Sequence, residues 1–138
     1  MSDINTEHMQ RCVDILEKSY EMLKKTEEGT IDYEIYRNSL VKSFEMTLEI
    51  SAKLLKKKIT PYFASKRAVD TLSFKDIFRY AHKYSLTNEE ETNRWTKYRD
   101  NRNNIAHDYG IAFATETLTL IDDFLRDVRN LKKVLDNA

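Results

Sequence analysis

The sequence predicts an all-α protein: an antiparallel up-and-down four-helix bundle with one additional short helix, folded as a single domain over residues 1–138. Three observations carry this. The chain has two glycines and one proline, so little of it can be turn or loop, and most must lie in long regular elements. Apolar residues recur at i+3 and i+4 through four long stretches, and no alternating stretch longer than a few residues reads as a strand. The apolar content is 41% and the charged content 33%, as expected of helices with one face in a core and the other in water.

Residues 3–26 read as the first helix, with Met9, Val13, Leu16, Tyr20 and Leu23 on one stripe and Gly29 as a left-handed stop just past its last turn. Residues 31–58 read as a second, long helix. Tyr33, Tyr36, Leu40, Phe44, Leu48, Ala52 and Leu55 form its main stripe. Met46, Ile50 and Leu54 form an offset one, wide enough to serve a second neighbour or a second chain. Thr60-Pro61 breaks this helix, and residues 60–72 read as a long connection. Ser73 to Tyr84 reads as a short helix opened by a Ser73/Asp76 capping box, with Leu72, Ile77, Tyr80 and Ala81 covering one end of the core. Thr87 and Glu90 form a second capping box, and Glu89, Glu90 and Glu91 complement the helix dipole. That helix runs from about 88 to at least 106; a last one spans about 112–136, with Ala114, Leu118, Ile121, Leu125 and Val128 inward, broadened by Leu120, Phe124 and Leu131.

Composition narrows the functional classes. Net charge is zero, so nucleic-acid binding has to use a local patch. One such stretch exists: Lys53, Lys56, Lys57, Lys58, Lys66 and Arg67 occur with no acidic residue among them. These residues either complement the negative C-terminal end of the second helix or face phosphates. The single cysteine, Cys12, sits in an apolar pattern and reads as a small core residue; it excludes an internal disulfide and a cysteine-rich zinc site. His8, His82 and His107 share no ligand spacing, so no metal site is expected, and His82 reads as a surface or core-edge residue. No apolar run reaches membrane-spanning length and the N-terminus lacks a secretion signal, so the expected location is the cytoplasm.

Polar chemistry concentrates between Arg99 and Gly110, RDNRNNIAHDYG. Trp95, Tyr98, Arg102, Ile105 and Tyr109 follow one another on an inward stripe, so Arg102 takes a position where a bundle expects an apolar residue. On a continuous helix Arg102 and Tyr109 lie about 20° apart, whereas His107 lies about 140° round from Arg102. A direct Arg102–His107 pairing therefore needs the helix to end or bend near Ala106, or needs a second chain across a two-fold axis. Arginine clamps phosphate, histidine moves protons near neutrality, and Asn103 can hold either a phosphate oxygen or the imidazole. The set suits RNA cleavage, where the 2′-OH is the nucleophile and no metal is required. The same residue types also occur as structural caps and ion-pair clusters, so chemistry alone leaves both readings open.

Arg102-Asn103-Asn104-Ile105-Ala106-His107 resembles the signature of HEPN domains, and His107-Asp108-Tyr109 extends it to the form seen in HepT-like toxins, which are encoded beside an MNT-type nucleotidyltransferase antitoxin. Tyr36 to Glu49, YRNSLVKSFEMTLE, resembles the second helix of the related nucleotidyltransferase substrate-binding proteins. The resemblance covers about residues 30–135 and implies the same bundle. It further implies a metal-independent ribonuclease without cofactors, working as a homodimer, with Arg102 on the scissile phosphate, His107 as acid or base and Asn103 orienting them. Tyr109 would be AMPylated by the partner nucleotidyltransferase, and Lys56, Lys57, Lys58, Lys66 and Arg67 would be candidate RNA contacts. The alternative implied by the second-helix resemblance is a non-catalytic substrate-binding or accessory subunit of a nucleotidyltransferase.

Overall fold

A computed structural model describes the backbone of residues 4–105 and 111–137, and the side chains of residues 4–101 and 115–137. The described residues form six α-helices and no strand: α1 (Glu7–Lys24), α2 (Ile31–Ile59), α3 (Lys66–Asp70), α4 (Phe74–Lys83), α5 (Glu89–Ile105) and α6 (Ile111–Asp136), with a 3-10 turn at Thr60–Tyr62.

Cross-chain pairs fix the topology. Thr6 at the start of α1 donates to Asp136 at the end of α6 (2.6 Å), and Arg129 of α6 reaches Glu17 of α1 (2.8 Å), so these helices are antiparallel. Lys58 at the end of α2 donates to the carbonyl of Asn137 (2.6 Å), so α2 and α6 run the same way. Arg94 pairs with Asp127 and Asn101 with Thr117, so α5 opposes α6. The four long helices therefore alternate in direction, as expected.

α4 is more than the end cover predicted from its stripe. It packs along the side of the bundle between α2 and α5. Phe78, absent from the predicted set, is fully buried and stacks on Trp95 with ring centroids 4.7 Å apart. Phe44, Tyr98 and Phe124 continue this aromatic centre at 4.6 and 4.9 Å. Of the predicted stripes, α1 buries Met9, Val13, Leu16 and Leu23 and α2 buries Leu40, Phe44, Leu48 and Leu55, while Tyr20, Tyr33, Tyr36 and Ala52 are half-buried; Cys12 is core as expected. The offset stripe of α2 splits: Leu54 is core, Ile50 is half-buried and Met46 is exposed. Ser43, Thr47 and Ser51 are buried instead, each donating its hydroxyl to the carbonyl four residues earlier, so their polarity is satisfied within the helix.

Several boundaries differ from expectation for local reasons. α1 starts at Glu7, because Thr6 uses its hydroxyl on Asp136 and Asn5 accepts from the Glu7 amide. It stops at Lys24, and Gly29, at φ 85°, belongs to the turn that leads into the Thr30 cap of α2. The expected connection over 60–72 contains the 3-10 turn and α3, a five-residue helix capped by Ser65 and anchored by buried Val69. The capping box before α5 lies one residue later than read: Asn88 and Glu91 exchange backbone bonds at 2.8 and 3.2 Å, while Thr87 is buried beside Thr92.

α4 ends in a left-handed residue that is not glycine. The Leu86 amide donates to Ala81 O (2.8 Å) and the Ser85 amide to His82 O (3.0 Å), a Schellman closure with Ser85 at φ 62°. Ser85→Gly removes the Cβ penalty of that conformation and is expected to raise stability by about 0.5–1 kcal/mol in urea unfolding, and Ser85→Val to lower it.

Candidate ribonuclease site at the α5–α6 end

α5 and α6 are joined along their length by polar contacts buried in an otherwise apolar seam. Asp127 of α6 is fully buried. Arg94 donates to both its carboxylate oxygens, Nε to Oδ2 at 2.7 Å and Nη2 to Oδ1 at 2.8 Å, and the Tyr98 hydroxyl donates to Oδ2 at 2.5 Å. Arg126 approaches the carboxylate from the solvent side at 3.8 Å. The bidentate bond to Asp127 raises the Arg94 pKa above its ordinary value against the effect of burial. Burial, and then the bond to Asp127, push the Tyr98 phenol well above the usual tyrosine range.

One turn further along α5, buried Asn101 donates through Nδ2 to Thr117 Oγ1 at 3.0 Å, and its Oδ1 has no hydrogen-bond partner among the described residues. Arg94, Tyr98 and Asn101 are spaced four and three apart, so they form one row on α5 that meets α6. The roll of α5 is thus fixed up to the residue immediately before Arg102. The periodicity did not flag Arg94, Asn101 or Asp127, because polar residues interrupting an apolar stripe carry no period of their own. The usable signal was the mismatch itself: an Asp among Phe124, Leu125, Val128 and Leu131 has to find a cation.

Arg102 and Asn103 stand in the last described turn of α5. Their side chains, and His107 and Tyr109 altogether, lie outside the described residues, as does the expected break near Ala106. Chain connectivity sets the motif between the end of α5 and the start of α6.

The basic stretch lies elsewhere. Lys56 pairs with Asp70 at 2.9 Å, and that bond holds the Asp70 carboxyl below its ordinary range. Lys58 is tied to Asn137, while Lys57, Lys66 and Arg67 are exposed. Lys58 therefore marks the C-terminal end of α6, whereas the motif precedes its N-terminal end. Asn101, the residue before Arg102, bonds to Thr117, so the roughly 20 residues from Thr117 to Asn137 put about 30 Å of helix between Lys58 and the level of Arg102. Exposed apolar side chains gather on the α1–α2 face instead, where Ile15 and Ile35 line a groove of about 370 Å³ and Ile31 is 75% exposed. No helix of the described residues is long and apolar enough to cross a membrane.

A family model described as nucleotidyltransferase substrate binding protein like matches residues 5–137. The chain belongs to this family. It is also 32% identical over 85 residues to the probable ribonuclease HepT of Haemophilus influenzae, a match covering 62% of this chain and 57% of that protein. The matched part thus spans little more than half the length of that relative. The fold is shared with HI0074 of Haemophilus influenzae at a TM-score of 0.80 and 24% identity, covering 96% of this chain and 100% of that one. The HI0074 structure is described as revealing the fold of a substrate binding domain of a nucleotidyltransferase. A Thermus thermophilus protein superposes at a TM-score of 0.66 and 22% identity over 88% of this chain and 99% of its own. The family membership read from the sequence motifs is thereby borne out.

Asp127→Ala leaves a half-buried guanidinium and a buried phenol without their acceptor; a loss of about 3–5 kcal/mol in chemical unfolding is expected. Tyr98 adds a pH signature. Its folded pKa is raised, so below the unfolded value of about 10 both states hold the proton and its contribution is complete. Above that pH the unfolded chain ionises first and stability falls. The stability advantage of wild type over Tyr98→Phe is therefore expected to shrink as pH rises from about 10 to 11.

Proposed function

We propose that this chain is the toxin of an MNT–HEPN (type VII) toxin–antitoxin pair, a metal-independent endoribonuclease that its partner nucleotidyltransferase silences by AMPylating Tyr109. The observation that carries this reading is the complete Arg102, Asn103, His107, Tyr109 set at the α5–α6 end of a chain of this family. The relation to a probable ribonuclease supports it.

The chemistry follows from the residue types. Arg102 binds the scissile phosphate and stabilises the charge that grows on its oxygens. The adjacent ribose 2′-OH attacks phosphorus and the 5′-oxygen leaves, yielding a 2′,3′-cyclic phosphate and a 5′-hydroxyl. His107 takes the proton from the nucleophile or gives one to the leaving oxygen, and Asn103 orients phosphate or imidazole. Arg102 and His107 do not share a face of a continuous helix, so either the helix ends before His107 or a second chain supplies it; this reading takes the active unit as a homodimer in which the two motifs meet across a two-fold axis. AMPylation joins the α-phosphate of ATP to the Tyr109 oxygen and releases pyrophosphate. It leaves a bulky anion beside the position where an RNA phosphate must bind.

A second reading has its own support: the family description and the HI0074 fold both concern nucleotidyltransferase substrate binding. In it the chain is a non-catalytic accessory subunit, and complex formation with the transferase is its function. The two separate cleanly. Wild-type protein, confirmed by intact mass to be unmodified at Tyr109, is expected to cut RNA in EDTA, with His107→Ala losing both cutting and growth arrest. RNA left intact by that protein overturns the ribonuclease reading. A stable complex with the transferase on size-exclusion chromatography, unchanged in His107→Ala, is what the accessory reading requires.

A further inference from the structure

The charge of this molecule is unevenly distributed. Residues 53–84 hold nine Lys or Arg and two Asp, a net +7 within a chain of net zero. This segment comprises the end of α2, the 3-10 turn, α3 and α4, so the positive charge belongs to one flank and end of the bundle. Lys56 and Lys58 are engaged within the chain, while Lys57, Lys66, Arg67 and Lys83 are exposed.

The same place carries a stack of aromatic rings. Tyr62 lies flat on Tyr84, with centroids 4.0 Å apart and 10° between planes. Tyr84 continues to Tyr80 at 6.3 Å, nearly parallel, and Phe63 meets Tyr80 edge-on at 4.8 Å. Lys83 Nζ sits 5.7 Å and 5.8 Å from the centres of Tyr80 and Tyr84. Phe63, Tyr80 and Tyr84 are partly buried against the core, whereas Tyr62, the outer ring, is 55% exposed. A ring serving only to close the core would be covered. The stack is also held rigidly: Tyr62 ends the turn containing Pro61, and Tyr84 precedes the Schellman closure at Ser85.

We propose that this face is a binding site for single-stranded RNA. Tyr62 on Tyr84 is the platform for an unpaired base, and Lys57, Lys66, Arg67 and Lys83 engage the flanking phosphates. The proposal rests on the reading that this chain acts on RNA, and gives it a substrate-holding site about 20 Å along the bundle from Arg102, since the ten-residue α4 leads from Phe74 beside Arg99 to Tyr84. Cations alone would suit any acidic surface; an exposed, pre-stacked ring is matched by a planar partner, and a base offers its face only when unpaired.

The test is fluorescence anisotropy with a labelled 12-nucleotide unpaired RNA and a hairpin duplex of equal length, on full-length protein carrying His107→Ala so that the probe survives. The unpaired probe is expected to bind more tightly than the hairpin. Tyr62→Ala is expected to weaken its binding about tenfold, with Tyr62→Phe restoring it. Lys66→Ala combined with Arg67→Ala, both exposed side chains, is expected to flatten the log–log salt slope by about 1.4. Unchanged affinity in Tyr62→Ala together with an unchanged slope in the double variant overturns the proposal, as does loss of transferase binding in these variants with RNA binding intact. Binding that responds as expected, in a protein whose wild type does not cut RNA, upholds this site while the ribonuclease reading fails.

Discussion

One fully buried carboxylate locks α5 against α6. Asp127 is that residue, and an unpaired charge there would be strongly destabilising. It is tolerable because Arg94 meets it with two parallel bonds and Tyr98 supplies a third. Those bonds are directional in a way that apolar packing is not. A helix held by Leu and Phe alone is positioned by shape rather than by specific bonds. One held by a bidentate Arg–Asp pair cannot roll or slide without leaving a charge unpaired. The consequence for function is positional: the last turn of α5 enters the motif with its azimuth against α6 already set.

The fold was legible in the sequence because its main elements obey one period over many residues. Most described residues of the α1, α2 and α6 stripes are core and the rest pack against it, and Trp95 and Tyr98 are buried as their stripe required. What stayed hidden was short, polar or tertiary. α3 has five residues, too few for a period, so the sequence shows only a connection there. Ser43, Thr47 and Ser51 are buried because hydroxyls can return their polarity to their own helix, a possibility the apolar pattern does not register. α4 has the composition of a cap, yet Phe78 takes it into the wall between α2 and α5. The cap of α5 is Asn88 rather than Thr87: both residue types cap well, and burial of Thr87 decides between them.

The site divides differently. Its residues were legible as a motif, and their order and spacing led to the family that the chain proves to belong to. The supporting frame was not legible: Arg94, Asn101, Thr117 and Asp127 are separated by up to 33 residues in sequence and meet only through the antiparallel pairing of α5 and α6. The basic stretch was legible as charge but not as place. The bond from Lys58 to the chain's C-terminal end sets it at the far end of α6 from the motif. Lys58 marks only one end of the basic segment: α4, which closes it, starts beside Arg99 and Asp100, so the segment runs back toward the end of α5.

The central claim is that the proposed nuclease site draws Arg102 from one chain and His107 from another. The most direct measurement uses a mixed dimer, purified through two different tags, in which one chain carries Arg102→Ala and the other His107→Ala. Each variant homodimer lacks one residue at both sites and is predicted to be inactive. The mixed dimer keeps one site with both residues and is predicted to cut RNA at about half the wild-type rate. A mixed dimer as inactive as its parents, beside an active wild type, would contradict the claim.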